Sequence, residues 1–225
     1  PNNFTNGLSE NEWKVLSEDE RAPLRNKAIA GEYAPGSTFK MIVALAALEA
    51  EIINKNTTFF CSGSLTLGDG KFHCWKRYGH GLTSLRKGIS QSCDVYFYEL
   101  SRLVGIDRIA IMAKRFGLGQ HLDLDIPGSR PGLIPNKAWK KAAIGKKWVG
   151  GETLLAAIGQ GLVLTTPLLL ATMVARLANG GKAITPFVAR DIISRNKLTS
   201  RADFPASDMG LNPKHLKLVV KSMEA

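Results

Sequence analysis

Acidic residues and cysteines are both scarce in this 225-residue chain, and each shortage excludes something. Asp and Glu number 19 against 30 Lys and Arg, a formal net charge of +11 at pH 7. That surplus favours anionic partners, whether nucleic acid, anionic lipid headgroups or acidic cell-wall polymer, without choosing among them. Three cysteines are too few, and odd in number, so the chain is no small disulfide scaffold. Internal repeats, low-complexity runs and a splitting linker are all missing. With 44% apolar and 22% charged residues, the composition also excludes a disordered tail and a collagen-like repeat. The length suits one domain of ordinary size.

Also missing are an initiator Met, a basic-then-apolar signal sequence and a targeting motif at the C-terminus. The chain therefore reads as a piece of something longer. A long uninterrupted apolar span is lacking too. Thr153 to Ala175 carries no charge and meets the length of a membrane crossing. Gly159-Gln160-Gly161 breaks it, however, and Thr165-Thr166-Pro167 is a helix start with Thr166 as N-cap. Two soluble elements around a Gly-rich turn is the better reading.

What is present is mostly helical pattern. Short helical character is expected around Glu10 to Leu16, and a strong, nearly all-apolar helix from Ser37 to about Glu51. Residues 55 to 82 read as loops and short strands. Helical pattern returns from Thr83 to Val104 and from Ile106 to Phe116, and residues 118 to 150 read as a long loop. A helix is expected from Pro167 to Asn179, ending on Gly180-Gly181, then a strand-like stretch from Ala183 to Ile193. The last segment, Leu211 to Ala225, predicts an amphipathic helix with Asn212 as N-cap, Pro213 in its first turn, and Leu216, Val219, Val220 and Met223 on one face.

Ser-x-x-Lys occurs three times, at Ser37–Lys40, Ser84–Lys87 and Ser194–Lys197. On a helix, residues three apart share a face, so the amine reaches the hydroxyl. To act as its base the amine needs apolar or electropositive surroundings. Ser37 meets this condition: it follows Pro-Gly and opens the most apolar helix of the chain. Ser84 lies at a surface-looking turn, and Ser194 sits in a stretch without helical pattern. A second element, Ser92-Cys93-Asp94, precedes the apolar run ending in Tyr96-Phe97-Tyr98. Its bland reading is a helix-start serine with an acidic first turn; its functional reading is a proton relay (Ser92) and a polar partner for Lys40 or substrate (Asp94).

Tyr33-Ala34-Pro35-Gly36-Ser37-Thr38-Phe39-Lys40 resembles the nucleophile segment of the class B penicillin-binding proteins, the D,D-transpeptidases that cross-link peptidoglycan. Further agreement lies in Pro23-Leu24-x-Asn26-x-Ala28, Gly79-His80-Gly81, Ser92-Cys93-Asp94, Ile158-Gly159-Gln160-Gly161 and Thr166-Pro167-Leu168. Asp rather than Asn in the second motif resembles the penicillin-binding protein 2 group, which serves side-wall elongation. The resemblance implies an α+β fold, a helical subdomain beside an antiparallel sheet, with residues 1–225 forming part of one transpeptidase domain. It implies that Ser37 attacks the D-Ala-D-Ala carbonyl of a stem peptide, that Lys40 takes its proton, and that Ser92 passes a proton toward the leaving group. Asp94 would hold Lys40 and the substrate amide, and the Ser37 backbone N–H would supply one oxyanion donor. β-Lactams would acylate the same serine. Elongation-complex membrane proteins are the implied partners, and the implied setting is the bacterial envelope, as the periplasmic part of an inner-membrane-anchored protein. Lys-Thr-Gly and Lys-Ser-Gly occur nowhere in the chain. In the family that motif lies on a strand giving the other oxyanion donor, so pedestal, membrane anchor and C-terminal strands are expected outside this segment, which alone would be nearly inactive. A D,D-carboxypeptidase or a β-lactam sensor is the alternative within the same chemistry.

The cysteines fall with one histidine in the spacing Cys61-x12-Cys74-x5-His80-x12-Cys93. Three thiolates and an imidazole are a complete tetrahedral set for structural zinc, with His73 and Asp69 as competing ligands. A disulfide plus one free thiol, and plain buried cysteines, stay open beside it. The charge and the Cys/His window also raise a zinc-dependent nucleic-acid-binding protein. Against it, the basic residues are dispersed, and the densest cluster, Lys137 to Lys147, is followed by no base-reading helix pattern. No nucleic-acid partner is expected.

Overall fold

A computed structural model describes residues 4, 5, 7–194, 197–200 and 206–224. In chain order, two short helices, α1 (Glu10–Glu18) and α2 (Lys27–Ala30), lead to a 3-10 turn, Gly36–Phe39, which runs straight into α3 (Lys40–Glu49). Every residue of α3 from Lys40 to Leu48 is buried. Such a helix has no polar face to offer water, so it becomes the axis around which the others pack.

Four strands follow: β1 (Thr58–Cys61), β2 (Ser64–Leu67), β3 (Gly70–His73) and β4 (Gly81–Ser84). β1 pairs antiparallel with β4, with Cys61 opposite Gly81, and the β2–β3 hairpin rises between them in sequence. Then come α4 (Leu85–Ser90), α5 (Asp94–Val104), α6 (Ile106–Arg115), α7 (Lys137–Ile144), α8 (Gly150–Ala157) and α9 (Pro167–Ala178). The remaining elements are β5 (Lys182–Ala183), β6 (Asp191–Ser194), β7 (Lys197–Ser200), β8 (Ser207–Asp208) and α10 (Pro213–Met223). α3 lies against α5, α6 and α10, and α5 also packs on α8. The class is α+β, its strands all in antiparallel two-stranded pairs among the described residues.

Four expectations change. Residues 83–104 are not one helix: the chain breaks at Gln91–Cys93, where Ser92 takes φ +50, separating α4 from α5. Residues 118–150 are not all loop, because Asn136 caps α7 and Gly145, at φ 73, ends it. The strand pattern of 183–193 is realised only at its two ends, with Pro186 between. On α10 the buried face is Leu216, Val219 and Ser222, while Met223 is exposed. The uncharged stretch from Thr153 resolves into α8, a Gly-rich turn and α9, and no helix among the described residues is long and apolar enough to cross a membrane.

Two contacts fix the entry to α3. Tyr33 forms a two-bond bridge with Thr165: Tyr33 N donates to Thr165 O at 2.8 Å and Thr165 N to Tyr33 O at 2.9 Å. Gly36 N then donates to Gly159 O at 2.9 Å. Gly159 has φ +68, and a Cβ there would lie 2.2 Å from Gly36 O. Only glycine permits that approach.

Candidate active site and a cysteine–histidine cluster

Ser37 lies exposed in the 3-10 turn at the mouth of α3, while Lys40, one turn on, is 2% exposed. A buried ammonium needs several acceptors, and Lys40 has three. Its Nζ donates to Asp94 Oδ1 at 2.6 Å, to Ser92 Oγ at 2.9 Å and to Ser92 O at 2.9 Å. It also sits 5.6 Å from the centre of the Phe97 ring. Ser92 Oγ in turn donates to Ser37 Oγ at 2.7 Å. Spacing predicted a direct Lys40–Ser37 contact; the structure places Ser92 between them. All four residues singled out for catalysis are therefore joined in one hydrogen-bonded chain, Ser37–Ser92–Lys40–Asp94.

The Ser84–Lys87 pair does different work. Ser84 caps α4, its Oγ accepting from Lys87 N, and Lys87 Nζ donates to the carbonyls of His80 and Leu82. Ser194 and Lys197 face each other across the β6–β7 pair; their side chains and residues 195–196 lie outside the described part.

Trp75 is a residue that pattern reading missed. Its backbone N donates to Asp94 Oδ2 at 3.0 Å, and its Nε1 lies 3.1 Å from both Gln91 O and Ser92 O. No spacing rule marks it; its one local sign is its place directly after Cys74.

Beside this chain lies the second predicted set. Cys61 ends β1, Cys74 follows β3, His80 precedes β4 and Cys93 caps α5, its Sγ accepting from Tyr96 N at 3.5 Å. All four are buried and their ligand atoms lie within 4.8 Å of one another. His80 Nδ1 is 3.5 Å from Cys74 Sγ and 3.7 Å from Cys61 Sγ. Gly79 makes the convergence possible: at φ +75, a Cβ would stand 2.0 Å from Cys61 O. The three thiols are unbridged. Burial pushes the Cys93 thiol up to about 12. Burial first, then the charges of Lys76 and Lys87, hold the His80 imidazole below its ordinary value. His73 and Asp69, the rival ligands, are not part of the group.

A family profile described as penicillin binding protein transpeptidase domain matches residues 1–225. Acinetobacter baumannii peptidoglycan D,D-transpeptidase MrdA is 40% identical over 192 residues, 84% of this chain and 29% of that protein. The chain thus spans about 30% of the length of the curated relatives it matches. Among solved structures, Pseudomonas aeruginosa PBP2 in complex with WCK 5153 superposes with a TM-score of 0.87 at 38% identity, over 96% of this chain and 47% of that one. A Helicobacter pylori complex between penicillin-binding protein PBP2 and MreC gives 0.85 at 33% identity, over 99% and 39%.

Proposed function

The chain belongs to the penicillin-binding protein transpeptidase domain family, and on that premise we propose that it carries the acylation half of a peptidoglycan D,D-transpeptidase. The observation supporting this is the unbroken path from an exposed Ser37 hydroxyl through Ser92 to the buried Lys40 ammonium. Ser37 is the nucleophile for the D-Ala-D-Ala carbonyl of a stem peptide. Its proton leaves toward Lys40 by way of Ser92 Oγ when Lys40 is in its neutral form, and the same path returns a proton to the departing D-Ala nitrogen. Asp94 orients Lys40 through Oδ1 and has its other oxygen held by the Trp75 backbone. The Ser37 N–H, at the start of the helical turn, faces the developing oxyanion. β-Lactams enter by the same step.

The setting that follows is the bacterial cell envelope, on the periplasmic side of the inner membrane. The Helicobacter pylori neighbour was solved with MreC, which supports elongation-complex membrane proteins as partners of the protein to which this chain belongs.

We assign the Cys61–Cys74–His80–Cys93 group to structural zinc. Zinc with bonds of about 2.3 Å to sulfur places tetrahedral ligands about 3.8 Å apart, and the group, within 4.8 Å throughout, needs only a small contraction. Bound there, the ion would order the loop from Cys61 to His80 and take no part in acylation. The deciding experiment for the function is adduct mapping with a fluorescent penicillin on a longer form of the protein that carries a Lys-Thr-Gly strand, since this segment alone is expected to be nearly inactive. Label on Ser37 is expected; label on Ser84 or Ser194 instead overturns the assignment.

A further inference from the structure

We propose that Trp75 is a positioning residue of the acylation site: its indole N–H and backbone N–H together hold the Gln91–Asp94 turn in the geometry that links Lys40 to Ser37. The proposal rests on the reading of Ser37 as nucleophile.

The argument starts from a mismatch. Trp75 is 66% exposed, so burial of its ring contributes little to holding it in place. Yet its Nε1 lies 3.1 Å from two carbonyls at once, Gln91 O and Ser92 O, and its backbone N is 3.0 Å from Asp94 Oδ2. Hydrogen bonds, not packing, set its position. The acceptors are the ones that Lys40 uses. Lys40 takes Asp94 Oδ1 and Ser92 O, and Trp75 takes Asp94 Oδ2 and the same Ser92 O. The nucleophile helix thus grips the turn from the inside and the β3–β4 loop grips it from the lip.

The turn needs that grip. Ser92 has φ +50, a left-handed conformation that a residue with a Cβ adopts only at an energetic penalty. If the turn relaxes, Ser92 Oγ leaves the position from which it contacts both Lys40 and Ser37. Asp94, with one oxygen released, then rotates and draws Lys40 with it. Trp75 is well placed to resist this because its own loop is also held by residues outside the turn. Cys74 precedes it in the buried cluster, and its ring meets the His80 ring edge-on at 5.2 Å. One residue therefore joins the cysteine–histidine group to the catalytic chain.

The test is pre-steady-state acylation, by a chromogenic β-lactam, of a longer form of the protein that carries a Lys-Thr-Gly strand, separating the dissociation constant of the initial complex from the acylation rate constant. Two variants are compared: Trp75→Phe, and replacement of Trp75 by benzothienylalanine, which keeps the bicyclic shape and deletes only the N–H. We expect both to slow the acylation rate constant by about tenfold, the worth of one or two hydrogen bonds to the turn that carries Asp94, with the initial dissociation constant unchanged. A benzothienylalanine variant acylating at the parent rate overturns the proposal, whatever Trp75→Phe does, because shape alone then suffices. A rise in the dissociation constant without a slower acylation step also overturns it, by making Trp75 a ligand contact. If the parent in that longer form makes no Ser37 adduct, the nucleophile reading fails separately. Hydrogen exchange of the Trp75 indole N–H then decides: strong protection of this exposed group supports the clamp, and exchange at the rate of a free indole overturns it.

Discussion

Ser92 Oγ donates a 2.7 Å hydrogen bond to Ser37 Oγ across 55 residues of sequence, and through it the Lys40 ammonium is linked to the Ser37 hydroxyl. The expected consequence is that Ser92 and Lys40 act as one unit. Lys40→Ala should slow penicillin labelling by about 10²–10⁴, the usual worth of a general base. Ser92→Ala should cause a loss of the same order, and the double variant little more than either alone. Time courses of fluorescent penicillin labelling, again on a longer form that carries a Lys-Thr-Gly strand, measure all three. Additive losses would mean that the two residues act independently, and near-parental labelling in Lys40→Ala would remove Lys40 from the mechanism.

Gly159 and Gly36 supply a stability test on the same turn. Both have positive φ, +68 and +59, but a Cβ on Gly36 meets nothing within 4 Å, whereas one on Gly159 lies 2.2 Å from Gly36 O. Gly36→Ala should therefore suffer conformational strain alone, about 1–2 kcal/mol. Gly159→Ala adds a backbone clash and should displace the nucleophile turn as well. Thermal melts should place Gly159→Ala clearly below Gly36→Ala. The reverse order would show that the 158–161 turn yields easily and does not hold Ser37 in place.

Much of this site was legible because its residues carry local signals. Pro35-Gly36 before Ser37 marks a turn into a helix, and the unbroken apolar run after it marks a buried one, which is what α3 is. The cysteine and histidine spacing likewise named the four residues that converge. The break at Ser92 was hidden because helical periodicity continues on both sides of it, and a serine in the left-handed region is imposed by tertiary ties. α7 was overlooked among prolines and lysines, although its capping residues, Asn136 and Gly145, were both present. Trp75 could not have been found from pattern, since its role lies in bonds to residues 16 to 19 positions away.

Outside the site, Lys140 and Glu152 form a mostly buried ion pair at 2.5 Å, with Lys140 Nζ 5.8 Å from the Trp148 ring centre. Burial alone would raise the Glu152 carboxyl, but the hydrogen bonds from Lys140 and the Val149 N–H, with the Lys140 charge, outweigh it and leave the group below its ordinary value of 4.5. A carboxylate depressed on folding stabilises the fold above its unfolded pKa and loses that contribution as pH falls through the folded one. The melting temperature should therefore fall below about pH 4.5 more steeply in the parent than in Glu152→Gln. Parallel pH profiles for the two would mean that the pair contributes nothing to stability.

The cysteine–histidine group gives the last prediction. If it holds zinc, the freshly purified protein contains about one zinc per chain and its three thiols resist alkylation until the metal is removed. Chelation should then lower the melting temperature and loosen residues 61–93, because the ion replaces the apolar packing that this loop lacks: Phe60, Trp75, Tyr78 and Leu82 all point outward. Cys93→Ser should be the harshest of the ligand changes. It deletes a thiolate, and it sits between Ser92 and Asp94 at the cap of α5, where its sulfur also accepts from Tyr96 N. Its loss should reach both stability and acylation, whereas Cys61→Ser, at the end of β1 and outside the Ser92–Asp94 turn, should lower stability first. Elemental analysis and mass spectrometry of the unreduced protein settle the matter together. Absence of metal, or a native Cys61–Cys74 disulfide, would end the zinc assignment and leave the Ser37–Ser92–Lys40 chain to be judged on its own.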